Sequence, residues 1–207
     1  MGTATERMGL AEATVLAQAV VGLLTPYCEE ICIAGSVRRK APTCGDIEIV
    51  CIPKIEQETG GTLFGDDVFT VNRLDDHIEA MLVNDELGTR LDKNGRRAVG
   101  ERYKRLSYFG FGLDLFSVVA PAQFGVIMAI RTGPSEWSHR LVMSRTQPFR
   151  IQGPSDRSEL LHGMLPPGYR VKDGQLFGGD GRVIDTPTEE SFFDAISLPY
   201  LAPEDRR

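Results

Sequence analysis

Asp46 and Glu48 stand two residues apart in the run Asp46-Ile47-Glu48-Ile49-Val50-Cys51-Ile52-Pro53, which reads as a strand with one polar face at its start. Side chains alternate across a strand, so both carboxylates face the same way. Two anions so held repel one another, and a divalent cation between them removes the repulsion. A third acid, Asp114, interrupts the apolar run Leu113-Asp114-Leu115-Phe116. Burying it there is costly without a partner, and a metal shared with Asp46 and Glu48 supplies one. Upstream, Gly35-Ser36 follows an apolar strand and precedes Arg38-Arg39-Lys40. Small residues at such a break let backbone N–H groups approach a phosphate, and Ser36 and Arg39 add hydrogen bonds. Each piece alone has a bland reading: a solvated turn for Gly-Ser, a surface strand face for Asp-x-Glu, an edge-strand charge for Asp114. Their order favours a metal-and-phosphate site: strand, Gly-Ser, basic pair, Asp-x-Glu on the next strand, then an isolated strand Asp.

These residues need a frame. Met8, Ala11, Val15, Leu16, Ala19, Val20, Leu23 and Leu24 recur at three- and four-residue steps and predict an amphipathic helix, ended by Pro26. Residues 31–34 predict a short strand, 54–69 a polar loop, and 72–85 a helix with His77, Ile78, Met81 and Leu82 inward. Residues 90–91, 102–109 and 113–119 are further strand candidates. The run of strands stops at Ala120-Pro121, which divides a catalytic domain over 1–120 from a smaller one over 121–207. In the second, 124–131 is apolar and ends at the breaker Thr132-Gly133-Pro134, and 135–145 predicts a helix. Asp173-Gly174 joins 169–172 to 175–177 in a hairpin. Thr186-Pro187-Thr188-Glu189 supplies an N-cap, a first-turn proline and a capping-box acid for a helix over 189–196.

Composition narrows the class. With 42% hydrophobic residues among 207, the chain can bury a core. The net charge of −6 argues against a generally basic nucleic-acid binder, but the charge is segregated. Residues 1–87 carry 15 acids and 6 bases, 88–172 carry 6 acids and 14 bases, and 173–207 carry 8 acids and 3 bases. One basic face for a polyanion fits that pattern. Arg90, Lys93, Arg96, Arg97, Arg102, Lys104 and Arg105 read either as a surface meeting a nucleic-acid backbone or as a solvated loop balancing the acidic N-terminal region. Cys28, Cys32, Cys44 and Cys51 form no CxxC pair and have no histidine nearby, so reduced thiols are expected and a zinc site is not. The apolar stretch over 8–24 contains Glu12 and Gln18 and reads as too short and too polar to span a bilayer. The expectation is a cytoplasmic monomer with no membrane partner.

Gly35-Ser36-x-Arg38-Arg39 with Gly45-Asp46-Ile47-Glu48 resembles the signature of the nucleotidyltransferase superfamily, and of family X (polymerase-beta-like) DNA polymerases in particular. Further pieces fall in the family's order. Leu113-Asp114-Leu115 looks like the strand of the third metal ligand, and Gln123-Phe124-Gly125 to Thr132-Gly133 like the start of the nucleotide-binding subdomain. Pro187 to Glu204, with Leu198-Pro199-Tyr200-Leu201, looks like its C-terminal segment. The resemblance covers roughly residues 10–207. It departs from the family at Glu48, where Asp is usual, and at Ile130-Arg131, where an aromatic pair is usual. Val142 stands where an arginine is expected, with Arg140 and Arg145 as possible substitutes. No match to the family's N-terminal lyase and helix-hairpin-helix regions precedes residue 10, and Schiff-base lyase activity is not expected.

The resemblance implies an α+β fold: a palm of mixed sheet with flanking helices, followed by a small α/β nucleotide-binding subdomain. It implies that Asp46, Glu48 and Asp114 hold two Mg2+ ions, Mn2+ being the alternative, with Asp114 nearest the attacking hydroxyl. Gly35, Ser36, Arg39 and Gly45 would grip the triphosphate of a dNTP or NTP. Arg131 and Gly133 would lie at the sugar, with a cis peptide at Gly133-Pro134. Trp137 reads equally as a core anchor or as a base contact. The expected activity is addition of deoxynucleotides to the primer 3′-hydroxyl of primer-template or gapped DNA, as in short-patch DNA repair. A nucleotidyltransferase acting on RNA, a protein or a small-molecule hydroxyl is the alternative. A catalytically silent nucleic-acid-binding module is the third class, disfavoured by the intact carboxylate set.

Overall fold

In the computed structural model, residues 7–62, 65–91, 94–152 and 158–206 are described. The chain forms two compact units, one from Met1–Ile33 and Thr43–Ser117, the other from Ala34–Pro42 and Val118–Arg207. The class is α+β: a mixed sheet, smaller sheets and six α-helices among the described residues.

The first unit opens with β1 (Met8–Gly9) and α1 (Leu10–Leu24), which a 3₁₀ turn at Thr25–Tyr27 ends with Pro26 in its first positions. Then come β2 (Cys28–Ile33), the short α2 (Gly35–Arg38), which belongs to the second unit, β3 (Thr43–Cys44) and β4 (Ile47–Pro53). A hairpin of β5 (Ile55–Thr62) and β6 (Gly65–Asn72) precedes α3 (Arg73–Val83). β7 (Gly88–Thr89), β8 (Tyr103–Tyr108) and β9 (Phe111–Ser117) complete the unit.

Five strands form one sheet in the order β2-β4-β9-β8-β7. β4 and β9 are parallel; the other neighbours are antiparallel. One sheet face carries Ile47, Ile49, Leu113, Leu115 and Leu106, all fully buried. Lys104 shares that face with Leu115 and is itself buried, its ammonium 2.6 Å from Asp75 of α3 and bonded to the carbonyls of Gly100 and Glu101. The ion pair with Asp75 and the two carbonyl bonds offset the cost of burying this charge.

α1 packs on β2 and β4 through Ala13, Ala17, Val20 and Leu24. Four of the positions expected to face inward, Ala11, Val15, Ala19 and Leu23, are exposed instead, Val15 by 63%. The helix is apolar nearly all round, so spacing could not choose its face. The sheet contact favours the alanine stripe, where the backbones can approach. By length and hydropathy alone Leu10–Tyr27 could cross a membrane, so neither measure excludes a span.

The loop expected over 54–69 is instead the paired strands β5 and β6, in which Phe69 lies over Gly60. On α3, Leu74 is buried with Ile78 and Met81, while His77 stacks on Tyr27 at 4.0 Å. Asn72 caps the helix, its side-chain oxygen accepting from the N–H groups of Leu74 and Asp75.

The second unit contains α4 (Phe124–Thr132), α5 (Ser135–Leu141), the β10 (Pro148–Gln152) and β11 (Ser158–His162) pair, a three-stranded sheet of β12 (Arg170–Lys172), β13 (Gln175–Phe177) and β14 (Val183–Ile184), and α6 (Glu189–Ala195). Its core joins Val126 and Ala129 of α4, Trp137 and Leu141 of α5, Leu165, Leu176 and the α6 pair Phe192–Phe193. The β12–β13 turn has Asp173 and Gly174 left-handed, φ 52 and 78, as a two-residue hairpin requires. The cap of α6 is Thr188, in a reciprocal box with Ser191, two residues later than the sequence indicated. Glu189 is therefore not a capping acid. It is buried, hydrogen-bonded to Arg206 at 2.6 Å and to Arg38 at 2.8 Å.

Candidate active site

In the parallel β4–β9 pair, Glu48 stands opposite Asp114 and Ile47 opposite Leu113. Across the antiparallel β8–β9 pair, Arg105 stands opposite Asp114. Partners across a ladder share a face, so Glu48, Asp114 and Arg105 form a lateral row. Asp46 immediately precedes β4 on the same face as Glu48 and adjoins Gly112. A Cβ on Gly112 would lie 3.2 Å from the Asp46 Cβ and would first collide with the Arg90 guanidinium. Glycine at 112 therefore lets Arg90 reach across β9 towards Asp114.

Asp114 Oδ1 is 3.7 Å from Arg90 Nη1 and 3.9 Å from Arg105 Nε. All three atoms are buried, and none has a hydrogen-bond partner among the described residues. The charges attract, but the distances exceed hydrogen-bond reach. Burial pushes the Asp114 carboxyl above the usual carboxylate range and the charge of Asp46 pushes it further. A Tyr103 hydrogen bond, Arg90 and Arg105 recover only part of the loss. A half-buried anion with an unpartnered oxygen and acidic neighbours gains from a further cation. All-oxygen donors suit a hard divalent ion, so these residues fit magnesium. Among the described residues no group of three or more acids, histidines or cysteines is gathered as a ready-made metal site.

The residues expected to bind phosphate divide between the units. Gly45 lies in the first, half-buried, with Arg7 3.5 Å from the position a Cβ would take. Gly35, Ser36 and Arg39 lie in the second, on and just after α2. Gly35 is left-handed at φ 62, which a glycine adopts without strain. Arg39 donates to the Thr132 carbonyl at 2.6 Å and Arg38 to the Thr132 hydroxyl at 2.8 Å, so both arginines reach the last residue of α4. Arg131 is exposed there. Gly133 follows, its bare Cα against the Trp137 ring.

The expected cis peptide at Gly133-Pro134 is absent. The cis bond among the described residues is Ala120-Pro121. Gly133 and Pro134 are both extended, ψ 155 and 159, and lead straight into α5. Of the two readings of Trp137 the core anchor holds: the ring is buried, with Phe193 at 6.1 Å and the Arg206 guanidinium over it at 5.0 Å. The expected basic surface also shrinks. Lys104 faces the core, and Arg90 and Arg105 turn to Asp114. Arg96, Arg97 and Arg102 remain exposed, and Lys93 lies outside the described residues.

Sequence reasoning did not connect Arg90 and Arg105 with Asp114, because that pairing depends on strand register. It also missed the Arg38–Glu189–Arg206 cluster, whose members are far apart in the chain. No protein-family model matches the chain.

Proposed function

We propose that this protein is a metal-dependent nucleotidyltransferase built on a palm-like domain. Its proposed reaction adds deoxynucleotides to the 3′-hydroxyl of a DNA primer with release of pyrophosphate. The observation that carries this reading is the clustering of Asp46, Glu48 and Asp114 along one sheet face, with an unpartnered Asp114 oxygen in their midst. A purely structural row would be expected to close that oxygen with a hydrogen bond.

Asp46, Glu48 and Asp114 would hold the ions. When bound, divalent ions neutralise charge on the transferring phosphoryl group and acidify the attacking hydroxyl. Asp114, as the resemblance implies, would stand nearest the attacking hydroxyl. Arg90 and Arg105, beside its Oδ1, offset the negative charge that three acids bring together. The roles given to Gly35, Ser36, Arg39 and Gly45 at the triphosphate, and to Arg131 and Gly133 at the sugar, rest on the resemblance alone.

The test incubates the protein and Mg2+ with labelled primer-template or gapped DNA, with dNTPs and rNTPs in separate arms and an RNA primer as a further acceptor. Stepwise primer extension that Asp114→Asn abolishes is the expected result. Extension of RNA alone would move the assignment to the second acceptor class. No transfer to any of these acceptors, with the parent protein folded, would overturn the polymerase reading.

A further inference from the structure

The β8–β9 hairpin turns through Phe109-Gly110, whose φ values are 48 and 77. Two left-handed residues suit the twist of an antiparallel pair, and the usual occupants are Asn-Gly. Phenylalanine at the first position takes a backbone conformation that bulky residues avoid. It gains no burial in return: Phe109 is 84% exposed, with Tyr108 edge-on at 4.7 Å. Neither turn chemistry nor packing accounts for an aromatic ring at this tip.

Beside the ring lies a cavity of ≈ 510 Å³, bordered by Arg7, Glu12, Arg90, Phe109, Phe111 and Gly112. Thr43 orients Arg7, accepting from Nε at its hydroxyl (2.9 Å) and from Nη2 at its carbonyl (2.7 Å). Arg90 enters from the other direction, across Gly112. The cavity thus joins two guanidiniums, one opposing carboxylate and a projecting aromatic face. Gly112, at its border, adjoins Asp46.

We propose that this cleft binds single-stranded polynucleotide, with one base stacked on Phe109 and the adjoining phosphates held by Arg7 and Arg90. Every base presents a π-face, so such a platform tolerates any sequence, while the guanidiniums follow the backbone. Naming the bound strand as the acceptor rests on the nucleotidyl-transfer reading; the binding itself requires no catalysis. The strand would enter past the hairpin tip and present its end towards Asp46 and Asp114.

The test is fluorescence anisotropy of a labelled oligothymidylate with EDTA present, at stepped salt concentrations. Phe109→Asn should weaken binding about tenfold, and Phe109→Trp should retain it. Asparagine suits the turn, so Phe109→Asn should melt no lower than the parent, which separates lost stacking from lost fold. Arg7→Gln should reduce the slope of log affinity against log salt by about 1. An affinity unchanged by Phe109→Asn, or no oligonucleotide binding by the parent, overturns the proposal. The two readings fail separately. Phe109-dependent binding without primer extension removes the nucleotidyl-transfer assignment and leaves the cleft. Primer extension indifferent to Phe109→Asn removes the cleft and leaves the chemistry.

Discussion

Glu48 and Asp114 are register partners on the parallel strands β4 and β9, so two acids distant in sequence stand side by side on one sheet face. The neighbour on the far side of Asp114 is Arg105. A carboxylate flanked by an acid and a base, with Asp46 adding a second negative charge, is poised between repulsion and attraction. Burial and the charge of Asp46 hold its carboxyl above the usual carboxylate range.

Asp114→Asn should therefore leave the melting temperature at neutral pH close to that of the parent when no divalent ion is present. For the parent, millimolar Mg2+ or Mn2+ should raise the melting temperature, because an ion that binds only the folded state stabilises it. The variant should lose that rise together with nucleotide addition. A thermal melt with and without the metal checks both, and a rise undiminished in Asp114→Asn would remove this residue from the ion site.

Gly112→Ala probes the contact between Asp46 and Arg90. The added methyl would crowd Asp46 and displace the flexible end of Arg90 from Asp114. The fold should survive, since a side-chain end can move. Primer extension should fall at least tenfold, and the apparent Mg2+ requirement should rise. Wild-type activity in Gly112→Ala would show that the placement of Arg90 is incidental.

Glu189 gives the pH dependence. Burial pushes its carboxyl up, but hydrogen bonds and charge from Arg206 and Arg38 outweigh that and hold it below the usual range. A lowered pKa contributes stability that is present above the unfolded value and is lost as pH falls through the folded one. Glu189→Gln should cost about 3–5 kcal/mol near neutrality, since it strands Arg206 in the core. The gap between parent and variant should narrow as pH falls below about 4.5. Chemical denaturation across pH measures it, and a gap independent of pH would contradict the ion-pair account.

Arg96 and Arg97 are exposed, whereas Lys104 is buried against Asp75. Reversing both arginines to Glu should weaken DNA binding and flatten its salt dependence, with little effect on stability. Lys104→Ala should do the opposite, lowering the melting temperature while leaving the salt slope in place. Equal slopes for the parent and the double reversal would assign the DNA-facing surface elsewhere.

That Asp46 and Glu48 share a face and that Asp114 needs a partner were legible because alternation along a strand and the cost of an acid in an apolar run are local facts. The Asp173-Gly174 turn was legible for the same reason, since turn chemistry acts over a few residues; α5 and α6 were legible in place, though α5 ends at Leu141 and the cap of α6 is Thr188. Which acids become neighbours was not local. Register decides that Arg105 and not Lys104 meets Asp114, and a shift of one residue would exchange them. The inward face of α1 was equally undetermined, since its apolar residues spread over most of its circumference until a sheet is laid against it. Glu189 became a buried ion-pair partner only when α6 brought it to Arg38 and Arg206. Tertiary structure also decided that Phe109 projects into solvent while Trp137 fills a core. Both are aromatic, and only the packing around each one separates a surface for a partner from an anchor for the fold.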